Sequence, residues 1–532
     1  MADHDDNVIP QDEDVSTQPI AVPDSADGES GKLKMILQLL KKCLGVKDIA
    51  AMRLSLPASL LEPIPNLEYW HYLDRPDLFA AINDSDDPFE RMLAVLRFAF
   101  SKDIKFIRGR VVKPYNSVLG EHFRSHWDVI PVAYSSDPLQ PPIQHLYLTP
   151  AAAESSYSTI APTPKSETAS IRSGKSGKSG MSTLSGLSAL TSTSRGYSTP
   201  GKSTPGTSPS IGETDIDAAM SNLDLVDSSA SSRTDLIEAG EAPAEAEHER
   251  VRVVFLTEQV SHHPPVSAFV ARCPSRHIEL RGVDQISAKV SGTALRIIPG
   301  SLNKGLFVKL TGGADAGETY HITHPVGAVN GMLRGSFYVT MGEATIITCS
   351  GGAEGKKLRA IIEYKEESWL GRAHFLVEGV VHEYSPGETQ HLEWTRVKHV
   401  PQSCVVATFD GSWKHLIRWR RVDSTENATL IDLSTLHAIP MSVRPLEKQH
   451  PRESRKLWEN VTSGLLKKEY SEATKHKLFI EQRQRDEAAE RKRRGAKFIP
   501  QYFESDIDSG YPTLTAEGQK AVEEELEEEE GA

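Results

Sequence analysis

The sequence has little cysteine and no long apolar run, and both shortages restrict what the protein can be. Its four cysteines, at 43, 273, 349 and 404, are isolated and form no CxxC pair, which argues against a disulfide framework or a structural zinc site and favours a reducing compartment. No segment approaches the ~18–20 uncharged apolar residues of a membrane span. The acidic N-terminus lacks the basic and apolar regions of a signal peptide. We therefore expect a cytoplasmic protein that needs no metal or other cofactor.

Acidic side chains are concentrated at the two ends of the chain. The 532 residues carry a formal net charge of −13. Residues 1–30 contain no Lys or Arg and are predicted to be a disordered acidic tail. Residues 504–532 end in the run EEELEEEEGA and are interpreted as a second acidic tail. Without these ends the chain is near neutral and slightly basic, so an anionic ligand is compatible with it.

Composition divides the rest of the chain into three parts. Residues 151–247 are rich in Ser, Thr, Gly and Pro, so they bury too little to offset their ordering entropy and are predicted to be a disordered insertion in a surface loop. Residues 251–420 consist of short β-branched and aromatic runs separated by turn residues, which is typical of a large antiparallel sheet or barrel. Residues 452–497 have helical periodicity.

Two further segments have helical patterns. A helix is predicted for 86–101, with Asp86 or Asp87 as its cap. Residues 31–50 begin with a short amphipathic basic helix, whose apolar side chains recur at helical spacing and are Leu33, Ile36, Leu37, Leu40 and Leu44. Such a helix packs on the body of the protein or contacts a membrane surface, and the pattern alone does not separate these two interpretations.

The segment EQVSHHPP at 258–265 carries the most distinctive chemistry. An apolar strand leads into His262 and His263, which two prolines hold at a turn. Adjacent strand residues point to opposite faces, so this pair is a poor metal chelate unless the strand bends. A nucleophile pair with Ser261 is weak, because no orienting acid is assigned and no G-x-S-x-G elbow occurs. Imidazole N–H groups at a rigid turn suit phosphate oxygens, and the plainer interpretation is ordinary turn histidines.

Read in full, EQVSHHPP is similar to the signature of the oxysterol-binding protein family. A second segment, KPYNSVLGE at 113–121, resembles the family's Lys-Pro-x-Asn-Pro-x-Leu-Gly-Glu motif and departs from it at Ser117. A third, KLFIEQRQR at 477–485, resembles the family's C-terminal helix, in which Lys, Glu and Arg follow one another at four-residue steps.

The resemblance extends over about 31–503, with 151–247 as an insertion, and includes the segments 54–65 and 497–503. It implies a mainly β fold with flanking helices. In that fold a large, near-complete antiparallel β-barrel encloses a hydrophobic tunnel, an N-terminal helical lid lies at 31–50, and helices follow the barrel.

The resemblance also implies a site for the headgroup of phosphatidylinositol 4-phosphate at the tunnel mouth. The residues at the matching positions are Lys113, Asn116, His262, His263, Lys477, Glu481 and Arg485. Positions i, i+4 and i+8 follow one helix face, so Glu481 is expected to bridge Lys477 and Arg485. Taken alone, these residues have plainer interpretations as a solvated helix face with intrahelical ion pairs and as ordinary turn residues.

The function implied by the resemblance is non-enzymatic lipid transfer, in which a monomer exchanges a sterol for phosphatidylinositol 4-phosphate between membranes. Contact with anionic membrane surfaces is expected to be peripheral and transient, and no nucleic acid is expected as a partner. The segment 54–65 also looks like family members that carry phosphatidylserine, so the second lipid stays open. One alternative is a lipid sensor or scaffold. The other is a hydrolase that uses Ser261, His262 and His263, which the absence of a G-x-S-x-G motif argues against.

Overall fold

The structure, a computed structural model, describes Ala58, the short strands Ile20–Ala21 and Leu54–Ser55, and residues 61–108, 112–135, 137, 140–142, 249–291, 294–331, 338–367 and 373–528. The described residues belong to one compact unit made of 1–161 and 248–532. The predicted lid at 31–50 and the predicted insertion at 151–247 lie outside the described residues. So does the predicted tail at 1–30, apart from Ile20–Ala21, which pairs in parallel with Leu54–Ser55.

Most of the regular structure between 122 and 432 is β-strand. The strands are β1 (Ile20–Ala21), β2 (Leu54–Ser55), β3 (His122–Val129), β4 (Val251–His262), β5 (Pro265–Cys273), β6 (Ile278–Ser291), β7 (Ala294–Pro299), β8 (Leu306–Leu310), β9 (Thr319–Ile322), β10 (Val326–Asn330), β11 (Tyr338–Gly342), β12 (Ala344–Ser350), β13 (Lys357–Tyr364), β14 (Leu376–Tyr384), β15 (Val405–Ser412), β16 (Leu416–Arg421) and β17 (Ala428–Asp432). All pairs from β3 to β17 are antiparallel, as the repeated short strands predict.

One 15-stranded sheet contains β3 to β17 and divides at β6. Its main path runs β3-β4-β5-β6-β8-β9-β12-β13-β14-β15-β16-β17, and a branch runs β6-β7-β10-β11. The division is possible because β6 is long: residues 278–282 pair with β8, whereas residues 286–291 pair with β7. We call the branch, formed by residues 286–291 with β7, β10 and β11, the wing sheet.

The near-complete barrel that the resemblance implies is not closed by hydrogen bonds between its end strands. Among the described residues no ladder joins β3 to β17. Instead, the chain beyond β17 forms two isolated bridges with β3, at His126–Ser442 and at His122–Glu453. In the first, His126 N donates to Ser442 O at 3.0 Å and Ser442 N donates to His126 O at 2.8 Å. The fold is therefore mainly antiparallel sheet with few helices, and closure into a barrel stays a prediction.

Helices lie before and after the strands. They are α1 (Asn66–Tyr69), α2 (Pro76–Ala80), α3 (Pro88–Ser101), α4 (Lys105–Arg108), α5 (Ser454–Leu457), α6 (Glu459–Leu466), α7 (Tyr470–Arg494) and α8 (Ala516–Glu527). Short 3-10 turns occur at Pro274–Arg276, Gln390–Glu393, Val397–His399, Gln402–Cys404 and Leu446–Lys448. Within the described ranges, no helix has the length and apolar character needed to cross a bilayer.

The helix predicted for 86–101 is confirmed as α3. Its cap is Asp87, whose Oδ1 accepts hydrogen bonds from Phe89 N at 2.8 Å and Glu90 N at 2.9 Å. These contacts satisfy two of the free backbone N–H groups at a helix start. Proline follows the cap at the first helical position, where the missing N–H costs nothing.

Helix α3 packs against strands that are far apart in the sheet order. Buried Arg91 donates from Nε to Oε1 of Glu318, just before β9, at 3.0 Å. At the other end of the sheet order, the Phe89 ring lies 5.4 Å from the Trp419 ring of β16. Because one helix contacts both regions, the sheet must curve around it, and the helix and the inner sheet face form one hydrophobic core.

Strand β4 is buried on both faces, which explains its continuous apolar run at 253–256. Val253 and Phe255 belong to the core that contains α3, whereas Val254 and Leu256 belong to a second core with α8. Successive strand side chains point to opposite faces, so both faces of this strand need apolar residues.

The acidic tail predicted from residue 504 onward is wrong up to residue 528. Helix α8 packs on β4 and β5 through apolar side chains. Its carboxylates pair with basic groups of β3: Glu524 Oε2 lies 2.8 Å from Arg124 Nη1, and Glu525 Oε1 lies 2.7 Å from His126 Nδ1. The acidic composition predicted a solvated segment because these partners lie about 400 residues earlier in the chain.

Candidate functional site

His262 and His263 lie at a hairpin between β4 and β5, as the sequence predicts. His262 is the last residue of β4, and His263 and Pro264, joined by a cis peptide bond, form the turn. The β4–β5 register shifts between Gln259 and Ser261, and such an irregularity bends a strand and redirects its side chains. The two half-buried imidazole rings are adjacent, with centroids 4.4 Å apart.

Ser261 takes part in the turn. Its Oγ donates to the carbonyl oxygen of Pro264 at 2.9 Å. A nucleophilic serine donates to its base instead, so this geometry does not favour the hydrolase alternative. In the part of the chain that the structure describes, no three His, Cys, Asp or Glu side chains are grouped to hold a metal ion.

Glu258, the first residue of the EQVSHHPP motif, connects the hairpin to the C-terminal segment. Its carboxylate is 1% exposed and accepts hydrogen bonds from Gln501 N and Tyr502 N, both at 2.8 Å. Burial raises the pKa of Glu258, and the backbone N–H donors oppose that rise. Glu258 is therefore a positioning residue, which holds the segment that follows α7 against β4.

We expect Glu258→Ala to lower the free energy of unfolding by several kcal/mol. The substitution leaves the buried N–H of Tyr502 and the partly buried N–H of Gln501 without their acceptors. A buried group left unpaired in this way costs about 1–3 kcal/mol. Urea denaturation measures the change. Glu258→Gln is the matched control, since it keeps one acceptor oxygen and should lose less. Equal unfolding free energies for Glu258→Ala and the wild type would show that the C-terminal segment does not depend on this carboxylate.

The second motif, at 113–121, is a loop that leads into β3 beside the hairpin. At its start, Lys113 Nζ donates to Asn116 Oδ1 at 2.6 Å and to Pro114 O at 2.9 Å. At its end, Gly120 N donates to Gln259 O at 2.9 Å. The loop is therefore bonded to β4 three residues before His262, so the two motifs are neighbours in space.

Glu121 holds this loop against the C-terminal helices. Its Oε1 accepts from Ser454 Oγ at 2.7 Å, and its Oε2 accepts from Trp458 Nε1 at 3.0 Å and from Val118 N at 2.9 Å. Burial raises the pKa of Glu121 to about 7. The Tyr115 ring packs on Trp458 with centroids 5.0 Å apart. Hydrogen bonds and ring packing together fix the loop to α5 and α6.

Helix α7 places the third motif beside the same loop. It approaches α6 closely where Gly464 faces Ala473, because a Cβ at Gly464 would lie 3.0 Å from the Ala473 Cβ. Ala473 and Ile480 enter the core that holds the loop. Lys477 lies between them on this face, is 5% exposed, and donates from Nζ to Glu481 Oε1 at 2.6 Å.

The predicted bridge from Glu481 to both cations is wrong for Arg485. Arg485 donates from Nε and Nη2 to Gln482 Oε1 at 3.1 and 2.9 Å. Side chains three residues apart on a helix are neighbours just as those four apart are, and the exposed guanidinium takes this acceptor. Of the two cations, Glu481 pairs with Lys477, and Arg485 lies on the exposed side of the helix.

Lys113 and Lys477 are close enough for their charges to interact. The pKa of Lys113 is lowered to about 8, first because its ammonium is desolvated and second because the Lys477 charge repels it. The Lys113 residue as a whole is exposed, but its ammonium end folds back onto Pro114 and Asn116, which removes water from that group. Two neighbouring cations beside a polar amide have the chemistry that suits an anion.

Three residues that hold the loop, the hairpin and the helices together were not predicted from the sequence. They are Glu121, Glu258 and Arg452. Arg452 joins loop and helix, because its Nη1 donates to Leu119 O at 2.8 Å and its Nη2 donates to Glu487 Oε2 at 3.0 Å. Glu121 and Glu258 lie inside the quoted motifs, so a signal for them was present. Arg452 lies in no motif, and its first partner is 333 residues away.

The wing sheet has one wholly apolar face. Residues directly opposite each other in antiparallel strands share a face, and the two rows on this face are Ala288–Ile297–Gly327–Met341 and Val290–Leu295–Val329–Val339. The other face carries Lys289, Arg296 and Thr340. Met341 packs against the main core, whereas Ile297 and its neighbours stay partly exposed. An apolar surface continuous with the core but incompletely covered suits an apolar ligand.

Comparison with known proteins gives consistent matches. The family model described as oxysterol-binding protein matches residues 35–177 and 244–526. The oxysterol-binding protein-like protein 1 of Schizosaccharomyces pombe is 40% identical over 502 residues, which cover 94% of this chain and 92% of that protein. The crystal structure of the Osh1 ORD domain in complex with cholesterol is similar with a TM-score of 0.52 at 17% identity, covering 98% of this chain and 94% of that one.

The Osh3 ORD in complex with PI(4)P from Saccharomyces cerevisiae has a TM-score of 0.51 at 16% identity, covering 92% of this chain and 94% of that one. At these identities the solved structures establish likeness of fold, and the family match rests on the sequence. The chain therefore belongs to the oxysterol-binding protein family.

Proposed function

We propose that the protein is a non-enzymatic lipid transfer protein that exchanges phosphatidylinositol 4-phosphate for a sterol between membranes. The observation that supports the proposal is that Lys113 lies close to Asn116 and Lys477, on a loop that is bonded to β4 three residues before His262. Three segments that are far apart in sequence supply these groups. Such a site is suited to a phosphorylated lipid headgroup.

The chemistry of the site matches a phosphate monoester. A monoester carries about −1.5 to −2 charges at neutral pH and offers three strong acceptor oxygens. Lys113 and Lys477 supply charge, the two imidazoles supply ring N–H donors, and Asn116 supplies an amide. Glu481 orients Lys477 through their 2.6 Å contact. On binding, Lys113 would exchange its contact with Asn116 Oδ1 for a phosphate oxygen.

The apolar face of the wing sheet is the proposed contact surface for the apolar part of the cargo. Acyl chains or a sterol covering Ile297, Leu295 and Val329 would remove these partly exposed side chains from water. The similar folds hold cholesterol in one solved structure and PI(4)P in another, which supports the same two ligand classes here. The protein would act in the cytosol and touch membranes only transiently.

Mass spectrometry of lipids that co-purify with the full chain, followed by transfer assays between liposomes, tests this function. We expect phosphatidylinositol 4-phosphate and a sterol to co-purify and to exchange. Co-purification of phosphatidylserine in place of the sterol would support lipid exchange but identify phosphatidylserine as the second lipid. Absence of phosphatidylinositol 4-phosphate from the bound lipids, together with no transfer of it, would contradict the proposal.

Binding of phosphatidylinositol 4-phosphate should weaken as pH rises above about 8. The pKa of Lys113 is about 8 in the free protein, and a bound dianion raises it. The lysine is therefore already charged below that pH, whereas above it binding must take up a proton. Affinity measured from pH 7 to 9.5 should be level and then fall, by up to about tenfold per pH unit. Lys113→Arg should abolish the fall, and an unchanged slope in that variant would exclude Lys113 from the site.

A further inference from the structure

Helix α7 exposes two large apolar side chains next to Lys477. We call the five residues of the proposed headgroup site the headgroup cluster; they are Lys113, Asn116, His262, His263 and Lys477. Nine large hydrophobic residues are exposed in the described part of the chain, and of these only Ile499, at 78%, is more exposed than Phe479, at 67%. Leu478 is 45% exposed and directly follows the buried Lys477. Single exposed hydrophobic residues are ordinary, whereas an adjacent pair beside a ligand-binding lysine calls for an explanation.

Charged residues of both signs surround this pair, with the basic ones in excess over the helix as a whole. Glu472 and Asp486, seven positions before and after Phe479, lie within about 20° of it, and Lys475 pairs with Glu472 at 2.5 Å. A helix turns by about 100° per residue, so Arg485, seven positions after Leu478, lies within about 20° of it. Lys475 and Arg483 lie four positions before and after Phe479 and share its side of the helix. Helix α7 also ends in the run Arg491–Arg494, and it carries more basic than acidic side chains although the whole chain has a net charge of −13. We call the side of α7 that carries Leu478 and Phe479 the outer face.

We propose that the outer face of α7 docks on an anionic bilayer and inserts Leu478 and Phe479 among the lipids. This proposal rests on the proposed function, because it assigns the surface through which the headgroup site meets its lipid. An excess of basic side chains attracts a helix to an anionic membrane surface, where its exposed apolar side chains can enter the boundary between headgroups and acyl chains. Lys475, Arg483 and Arg485 then contact anionic headgroups, and Lys477 lies one residue from the inserted pair.

A bilayer fits this face better than a protein partner does. A stable protein interface buries an extended surface on each partner, whereas only two large apolar side chains are exposed on this side of the helix. Two inserted side chains on a helix with an excess of basic residues match an anionic lipid surface. The headgroup cluster also has to reach the membrane plane, and Lys477 joins the two features on one helix. A protein partner is therefore an outcome that the test distinguishes.

The first experiment is vesicle flotation of the full chain with Leu478→Ser and Phe479→Ser combined. The vesicles contain phosphatidylcholine with or without phosphatidylserine. We expect the double variant to lose on the order of tenfold in binding to the anionic vesicles, as the loss of buried Leu and Phe side chains implies. Leu392→Ser is the matched control, since Leu392 is 60% exposed in the turn Gln390–Glu393, and it should bind like the wild type.

Two further measurements separate this proposal from the proposed function. Calorimetry with short-chain, water-soluble phosphatidylinositol 4-phosphate reports the headgroup site without a membrane, and the double variant should bind this lipid normally. In Phe479→Trp, brominated lipids should quench the fluorescence of the new tryptophan, whereas the fluorescence of the tryptophan in Leu392→Trp should not be quenched.

Flotation of the double variant at the wild-type level, or an equal loss of binding in Leu392→Ser, would overturn the docking face and point to a protein partner or a solvated helix. A wild type that floats but binds no short-chain lipid would contradict the proposed function alone.

Discussion

Alanine at both His262 and His263 is expected to abolish extraction of phosphatidylinositol 4-phosphate from liposomes. Hydrogen bonds to a charged group each contribute about 1.5–3 kcal/mol, so losing two of them lowers affinity by roughly a hundredfold or more. The two rings lie side by side, 4.4 Å between centroids, so both are expected to reach the same phosphate. Loading of the second lipid should stay near the wild-type level, because its proposed contacts are on the apolar face of the wing sheet.

Controls for the double histidine variant address folding and specificity. Both rings are half-buried at a turn, so their removal should change the melting temperature only slightly. His399→Ala is the matched control, since His399 is exposed in the turn Val397–His399 and belongs to none of the three motifs. A folded double variant that extracts phosphatidylinositol 4-phosphate like the wild type would remove both histidines from the site.

Local features of the fold were predictable from sequence because local chemistry determines them. Proline and aspartate at the start of α3 specify its first turn through the cap that Asp87 makes. Two prolines after adjacent histidines specify the hairpin at His263 and Pro264. Short β-branched runs with turn residues between them specify antiparallel strands. In each case the residues that decide the structure lie within a few positions of one another.

Features that depend on distant partners were not predictable in the same way. Helix α8 looked like a solvated acidic tail because Arg124 and His126, its partners, belong to a strand about 400 residues earlier. Arg452 belongs to no motif, yet it ties the loop at Leu119 to Glu487 of α7. A periodic pattern reports which side of an element is apolar, but it does not identify the surface that covers that side.

The motif residues themselves divide into a buried positioning group and a solvent-accessible group, which we propose contacts the ligand. Glu121 and Glu258 are buried acids whose acceptors are fully used by backbone and side-chain donors. Lys113, Asn116 and the histidines, in contrast, retain exposure to solvent. The sequence contains both groups within the same short motifs, and only the geometry separates them. Substitutions in the first group should lower stability, whereas those in the second should lower binding.

If the proposal holds, the headgroup cluster and the apolar face of the wing sheet make separable contributions to lipid binding. The headgroup cluster lies on the second motif, the hairpin and α7, whereas the apolar face is built by β6, β7, β10 and β11. A phosphoinositide needs both, since it has a charged headgroup and acyl chains. A sterol needs mainly the apolar face. Damage to the apolar face should therefore affect every lipid, whereas damage to the histidines should affect only one.

Ile297→Arg is accordingly expected to abolish lipid loading of both classes. Ile297 lies in the middle of the apolar face, opposite Ala288 on one side and Gly327 on the other. A guanidinium there has no carboxylate opposite it in either strand, and covering an unpaired charge with lipid costs several kcal/mol. We expect a loss of roughly a hundredfold or more in co-purified lipid and in transfer between liposomes.

Ile298→Arg is the matched control, because it places the same side chain one residue later and on the opposite sheet face. Ile298 pairs with Ser287, on the face that already carries Lys289 and Arg296, so an added arginine there stays in a polar surround. Thermal denaturation of both variants shows whether the wing sheet still folds. Ile298→Arg should load and transfer lipid like the wild type while Ile297→Arg does not. If the two folded variants carry the same lipids in the same amounts, the apolar face is not the surface that contacts the cargo.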